Sequence, residues 1–281
     1  MSQPKIAIVT GANTGIGKET ARGLAAEGMI VILAVRDLER GEAARGDIVD
    51  TTGNADVHVM LVDLASKESI LAFVRSFEQR FDRLDILVDN AGVWSRERRT
   101  TTDGFESTFG VNHLGTFLLT IELLPLLRKS APSRVVVVSS AMHYRATMKW
   151  DDLQFGSRSY GATAAYNQSK LANVLFANAL ARRLEGTGVT VNAVHPGPVA
   201  TDLVRELPEP LRTLWGWFTL SPRDGARTSL HVALADETAT VTGAYFEKSR
   251  TKRAAKAAHD VEAQERLWQL SESLLGVRAT A

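Results

Sequence analysis

The sequence predicts an α/β fold: one doubly wound domain, a seven-stranded parallel sheet flanked by helices on both faces. Two observations predict it. Short β-rich runs alternate with longer helix-periodic stretches along most of the 281 residues, the order that builds repeated βαβ units. The runs are continuously apolar, as in Val135-Val136-Val137-Val138, so both faces of the sheet are to be covered. No Pro/Ser/Gly-rich linker or solenoid-type repeat interrupts the alternation, and residues 1–281 are read as one domain.

In chain order, the first strand (6–9) enters a glycine-rich turn and a helix over 15–27. The turn, Thr10-Gly11-Ala12-Asn13-Thr14-Gly15-Ile16-Gly17, stands where a dinucleotide pyrophosphate binds: glycines permit tight turning and close backbone approach, and helix N–H groups attract the anion. The spacing is Gly-x-x-x-Gly-x-Gly rather than Gly-x-Gly-x-x-Gly. Gly11, Asn13, Thr14, Gly15, Ile16 and Gly17 are therefore candidate cofactor residues. A second strand (29–35) ends at Val35-Arg36-Asp37 and leads to a helix over 38–50. An acid at that strand's tip would bind the ribose diol of NAD, whereas a guanidinium grips the 2′-phosphate of NADP. Arg36 comes first and favours NADP(H) over NAD(H); the alternative is a surface arginine with Asp37 on the ribose.

The third strand (57–62) precedes a helix over 67–81, the fourth (84–88) a helix over 103–128, and the fifth (134–139) a helix over 160–185. Within the last of these, Tyr166 and Lys170 are four residues apart and share a helix face. A free tyrosine titrates near pH 10, about 4 kcal/mol from neutrality; a neighbouring ammonium favours the phenolate and suits the pair to acid/base work. That spacing alone also fits an ordinary surface pair. A sixth strand (189–194), a helix over 223–235, a seventh strand (244–246) and a helix over 259–275 complete the pattern. Two segments, about 141–160 and 202–222, break it. Excursions after strand carboxyl ends are where such sheets hold ligands.

Composition narrows the function. Net charge is +1, with 44% hydrophobic and 23% charged residues, so no global field attracts nucleic acid or an anionic membrane; a small-molecule partner is expected. Cysteine is absent, which removes disulfides and thiolate chemistry. The first strand begins too early for a signal sequence, and no membrane span of roughly 18 uncharged apolar residues is found. The expectation is a soluble, cytoplasmic protein. His113 and His195 lack further ligands at metal spacing, and no metal is expected. The basic run Lys248, Arg250, Lys252, Arg253 and Lys256 reads as a solvated face.

Taken together, these motifs resemble the short-chain dehydrogenase/reductase family, a Rossmann-type fold, from Lys5 to about Gly276. The matches stand in order: the Thr10–Gly17 turn, Asp63-Leu64, Asn90-Ala91-Gly92, Asn112, Ser139-Ser140, Tyr166 with Lys170, and Pro196-Gly197 followed by Thr201. The resemblance implies that Tyr166 is the general acid/base and that Lys170 binds the nicotinamide ribose and lowers the tyrosine's pKa. It implies that Ser140 binds the substrate oxygen and that Asn112 positions a proton-delivering water. Asp63 and Leu64 would meet the adenine, Asn90, Ala91 and Gly92 the adenosine ribose, and Pro196, Gly197, Val199 and Thr201 the carboxamide. Asp89 departs from the family's usual Asn-Asn-Ala-Gly.

Twenty-five residues separate Ser140 from Tyr166. With Arg36-Asp37, Ser169-Lys170-Leu171-Ala172-Asn173 and Val194-His195-Pro196-Gly197, the chain is similar to the retinol-dehydrogenase-like branch, which implies a lipophilic aldehyde, ketone or alcohol. Leu211, Leu214, Trp215, Trp217 and Phe218 suit a lid over an apolar pocket; the alternative is a buried helix or subunit interface. A catalytically silent NADP(H)-sensing protein is the alternative function. Assembly as a homo-oligomer through its helices is open, because the C-terminal region with Trp268 can cover that surface instead.

Overall fold

The computed structural model describes residues 4–197 and 220–279. Among them, β1 (Ile6–Thr10), β2 (Ile30–Val35), β3 (Val57–Leu61), β4 (Ile86–Asp89), β5 (Ser133–Val138), β6 (Val189–His195), β7 (Tyr245–Glu247) and β8 (Arg250–Lys252) form one sheet. Their spatial order is β3-β2-β1-β4-β5-β6-β7-β8. The first seven pair in parallel, whereas β8 returns antiparallel to β7. The expected seven-stranded parallel sheet is thus corrected to eight strands. The basic run is solvent-exposed, as expected, and part of it forms this extra edge strand, closed by Lys248-Ser249 with φ of 52° and 57°. Two left-handed residues make a tight hairpin whose twist suits the strands, but Lys-Ser carries none of the usual Asn-Gly signal.

The main helices are α1 (Gly15–Ala26), α2 (Leu38–Thr52), α3 (Lys67–Glu78), α4 (Ser107–Phe109), α5 (Thr116–Lys129), α6 (Ala162–Arg183), α7 (Pro222–Leu234) and α8 (Val261–Leu275). The apolar strands separate two buried layers. One gathers Ile8, Leu87 and Val135 with Phe73, Phe117 and Phe176 from α3, α5 and α6; the other joins Val9, Val88 and Val136 with Leu24, Ile48 and Val232 from α1, α2 and α7. Burying branched side chains on both sides of each central strand is what makes the runs unbroken rather than alternating.

The helix expected over 103–128 begins only at Ser107. Glu106, fully buried, caps it by accepting from the N–H groups of Thr108 and Phe109, 2.8 Å each. Between α4 and α5 the chain widens into a π-turn, Gly110–Gly115, a device often found at functional positions. A Cβ at Gly115 would collide with the Leu64 carbonyl. Ser107–Lys129 is long and apolar enough to cross a membrane, yet most of it is buried inside the domain, so core packing accounts for its hydropathy.

The C-terminal helix α8 lies over α5 and α6. Trp268 packs edge-on against Phe117 at 4.9 Å and beside Phe176 at 6.0 Å, with the Arg183 guanidinium 4.0 Å above its ring. The excursion over 141–160 is equally anchored. After a 3₁₀ turn, Ala141–Arg145, the Asp152 carboxylate accepts from the backbone N–H groups of Gly156, Ser157 and Arg158. Gln168 on α6 donates to the Leu153 carbonyl at 2.7 Å. Only 220–222 of the second excursion lie within the described residues.

Candidate active site

Because the strand order reverses between β1 and β4, the helices that follow these strands lie on opposite faces and leave a crevice at the carboxyl edge. The glycine-rich turn lies there. Gly11 (φ 66°) donates to the Ala34 carbonyl at 2.8 Å and fixes the turn to β2. A Cβ on Gly17 would collide with Asn90 Nδ2 and the Gly11 carbonyl, so glycine lets α1 start against the neighbouring loop. Gly15 (φ 57°) faces open space. Thr14 makes no side-chain cap, and no acid stands in the first turn of α1. The N–H groups of that first turn, at the positive end of a helix, fit a pyrophosphate. Asn13 and Thr14 flank them half-buried, and Ile16 packs against Ala226.

Thr10, not singled out in the sequence, ties this turn to the next. Its hydroxyl accepts from the N–H groups of Asn90 and Ala91, 2.9 Å each, while Asn90 Nδ2 donates to the Thr10 carbonyl at 2.8 Å. Arg36 is exposed at the tip of β2. Asp37 is committed elsewhere: it caps α2, accepting from Arg40 N at 3.1 Å. Asp63 accepts from Ala65 N at 2.9 Å beside buried Leu64.

Tyr166 and Lys170 occupy one face of α6, which is stitched to the end of β5. Ser139 Oγ donates to the Lys170 carbonyl at 2.7 Å, and Lys170 Nζ donates to the Val138 carbonyl at 3.1 Å. Ser139 is therefore structural, and Ser140 is the serine hydrogen-bonded to the Tyr166 hydroxyl. Gly92 closes the other side; a Cβ there would lie 3.3 Å from Lys170 Nζ and 3.5 Å from Asn112 Oδ1. Asn112, in the π-turn, accepts from Val93 N at 2.6 Å and donates to the Val93 carbonyl and to Ser169 Oγ. Its side chain thus holds the Asn90–Val93 loop. Ser169, which in turn donates to the Tyr166 carbonyl at 2.8 Å, entered the sequence reading only as part of the Ser169–Asn173 run and not as a site residue.

Burial sets the electrostatics. It pushes the Tyr166 phenol up to about 12, against the downward pull of the Ser140 hydrogen bond. It pushes the Lys170 ammonium down to about 8. The lysine, 5.6 Å from the phenol ring centre, does not overcome desolvation, so the lowered tyrosine expected from the pair is not met by the chain alone. Asp89 is also buried; desolvation raises it to about 7, partly offset by Thr120.

Pro196 and Gly197 (φ 92°) follow β6 at the same edge; Val199 and Thr201 lie outside the described residues. His195 is held neutral, its pKa lowered to about 4 by burial. His113 does not reach the crevice: it is wholly buried against Phe109 and Phe117, with Nε2 2.8 Å from Ser271 Oγ on α8.

A glycine-lined anion cradle and a Ser–Tyr–Lys set on one sheet edge define an oxidoreductase of the nicotinamide-dependent class. The family model for short chain dehydrogenase matches residues 5–212, and the chain belongs to the short-chain dehydrogenase/reductase family. Within it the chain falls in the retinol-dehydrogenase-like branch: it is 47% identical to human retinol dehydrogenase 13, over 98% of this chain and 86% of that protein. An uncharacterised Mycobacterium paratuberculosis protein of known structure superposes with a TM-score of 0.79 at 36% identity, covering 100% and 96% of the two chains. The Pseudomonas aeruginosa RhlG/NADP complex does so at 0.69 and 26%, covering 86% and 93%. The chain is thus an enzyme acting on CH–OH groups with a nicotinamide cofactor.

Proposed function

We propose that this enzyme transfers a hydride between NADP(H) and a lipophilic aldehyde, ketone or alcohol, with reduction the favoured direction. The observation that carries the reading is the Ser140–Tyr166–Lys170 set, assembled from β5 and α6 beside the cradle of α1. The nicotinamide, when bound, supplies or accepts the hydride. Ser140 and Tyr166 then bind the substrate oxygen, and Tyr166, a neutral phenol at physiological pH, donates the proton that a reduced carbonyl requires. Lys170 holds the ribose hydroxyls, and Asn112 keeps the Asn90–Val93 loop against it while its neighbourhood orders the proton-relaying water.

NADP(H) preference rests on Arg36, exposed where a 2′-phosphate would lie, and on Asp37 being occupied as a helix cap. Kinship to human retinol dehydrogenase 13 and half-exposed Tyr144 beside the Ser140 turn support a lipophilic substrate. A single-domain, cytoplasmic enzyme is the accompanying proposal.

The test is NADPH oxidation with a panel of lipophilic aldehydes and ketones. Tyr166→Phe is expected to remove turnover, and Arg36→Ala to raise KM for NADPH far more than for NADH. Turnover of the Tyr166 variant at the parent rate sinks the mechanism; equal effects on both cofactors sink the NADP(H) assignment.

A further inference from the structure

Resting on that reading of Ser140, we infer that His143 is a positioning residue that sets the geometry of Ser140 by stapling its turn to the strand-exit segment after β8. His143 is fully buried three residues after Ser140. Its Nδ1 lies 2.7 Å from the Ser140 carbonyl, which also accepts from the His143 backbone N–H at 3.1 Å. On the far side of the ring, Ala255 N donates to Nε2 at 3.1 Å. These partners determine the tautomer. A backbone N–H can only donate, so Nε2 carries the lone pair; a carbonyl can only accept, so Nδ1 carries the proton.

The neutral imidazole is thus used at both ends, and burial, which lowers its pKa, keeps it in that form. The ring is also gripped by Tyr144 and Tyr245, at 4.0 and 4.7 Å between centroids. Tyr144 adds a second staple by donating to the Arg253 carbonyl at 2.7 Å. The 3₁₀ turn that begins at Ser140 is therefore referenced to residues 253–255, 112 positions away in the chain for the His143–Ala255 bond. Among the described residues, Ser140 Oγ itself has the Met142 N–H, at 3.2 Å, and Tyr166 as partners. The serine's direction is consequently set through its own backbone, and small errors there are costly to a reacting geometry.

The experiment combines turnover of nonanal with NADPH and nitrogen NMR of histidine-labelled enzyme. The spectrum should show His143 as the Nδ1–H tautomer; an Nε2–H signal overturns the inference. His143→Phe should lower kcat about ten- to a hundredfold while leaving NADPH affinity within about twofold, since the cradle of α1 is untouched. His143→Asn, whose amide reaches the Nδ1 position, should recover most of kcat, whereas His143→Gln should not. Ala255→Pro removes the far donor at a residue whose φ of −53° already suits proline, and should lower kcat in the same direction.

Ser140→Ala separates the two claims. If it turns over like the parent, or if the parent enzyme turns over none of the carbonyl panel, the active-site reading fails. If it loses turnover but His143→Phe does not, or if the two losses multiply in the double variant, only the role of His143 fails, because a residue acting through Ser140 must be silent once Ser140 is gone. Should His143→Phe not fold, the Asn/Gln contrast and Ala255→Pro decide the same question.

Discussion

Tyr166, Lys170 and Asp89 are three titratable groups moved toward neutrality by one cause, removal from water, and each shift has a different consequence. With its phenol at about 12, Tyr166 is already in the acid form that carbonyl reduction consumes. The reduction rate should therefore be flat from pH 6 to 7.5, while alcohol oxidation by the same enzyme rises with pH; stopped-flow measurement in both directions checks this, and a reduction rate that climbs with pH contradicts it. Lys170 loses its charge above about pH 8, so NADPH affinity, followed by fluorescence titration, should fall through that value in the parent and not in Lys170→Arg. At Asp89, Thr120 Oγ1 stands 2.8 Å from both the carboxylate and the Thr116 carbonyl. One hydroxyl proton is shared between these two acceptors, so Thr120 offsets only part of the cost of burying the carboxylate. The folded-state value of about 7 lies above the ordinary 3.8, so the proton is bound more tightly in the folded chain. The associated stability is full below about pH 4 and lost as pH rises through 7. Asp89→Asn should then gain at least about 1 kcal/mol more stability at pH 8 than at pH 5, by urea denaturation at each pH.

Glycines of two neighbouring helices show how much the local element decides. Gly46 in α2 has open space around its missing Cβ, whereas Gly17 in α1 faces Asn90 and the Gly11 carbonyl. Gly46→Ala should therefore stabilise the fold by about 0.5–1 kcal/mol through helix propensity, and Gly17→Ala should weaken NADPH binding strongly, both read from denaturation and titration of the same samples. Motifs of this kind were legible in the sequence because each is local: a turn after a strand, a pair one helical turn apart, each at a strand's carboxyl end. What was not legible depends on distant or backbone-level partners. The π-turn around Asn112 lies in a stretch buried on almost all sides, so no apolar period marks the change of register and a single helix over 103–128 was the natural reading. Strand β8 hangs on two left-handed residues, Lys248 and Ser249, that carry no turn signature. His143 gave no signal because its second partner, Ala255, is remote in sequence.

At the scale of the molecule, α8 replaces solvent, or another subunit, over the face formed by α5 and α6. Its energetics divide unequally. Trp268 is buried against Phe117 and Phe176, whereas Glu265 pairs with Arg182 and Arg183 in partly exposed bridges. Burial of a large aromatic ring outweighs exposed ion pairs, so Trp268→Ala should cost about 3–5 kcal/mol and Glu265→Ala less than about 1 kcal/mol. The cap also reaches the interior polar network, since Ser271 meets His113 and Lys67 Nζ donates to the Leu275 carbonyl. Removing residues from 256 onward would uncover Phe117 and Phe176 together and leave His113 without its Ser271 partner. An apolar face of that kind seeks another surface. The shortened chain is therefore expected to self-associate or precipitate under conditions where Glu265→Ala behaves as the parent does. Light scattering after size exclusion distinguishes the cases: a truncated chain with the parent's mass and Tm would show that α8 contributes neither cover nor stability.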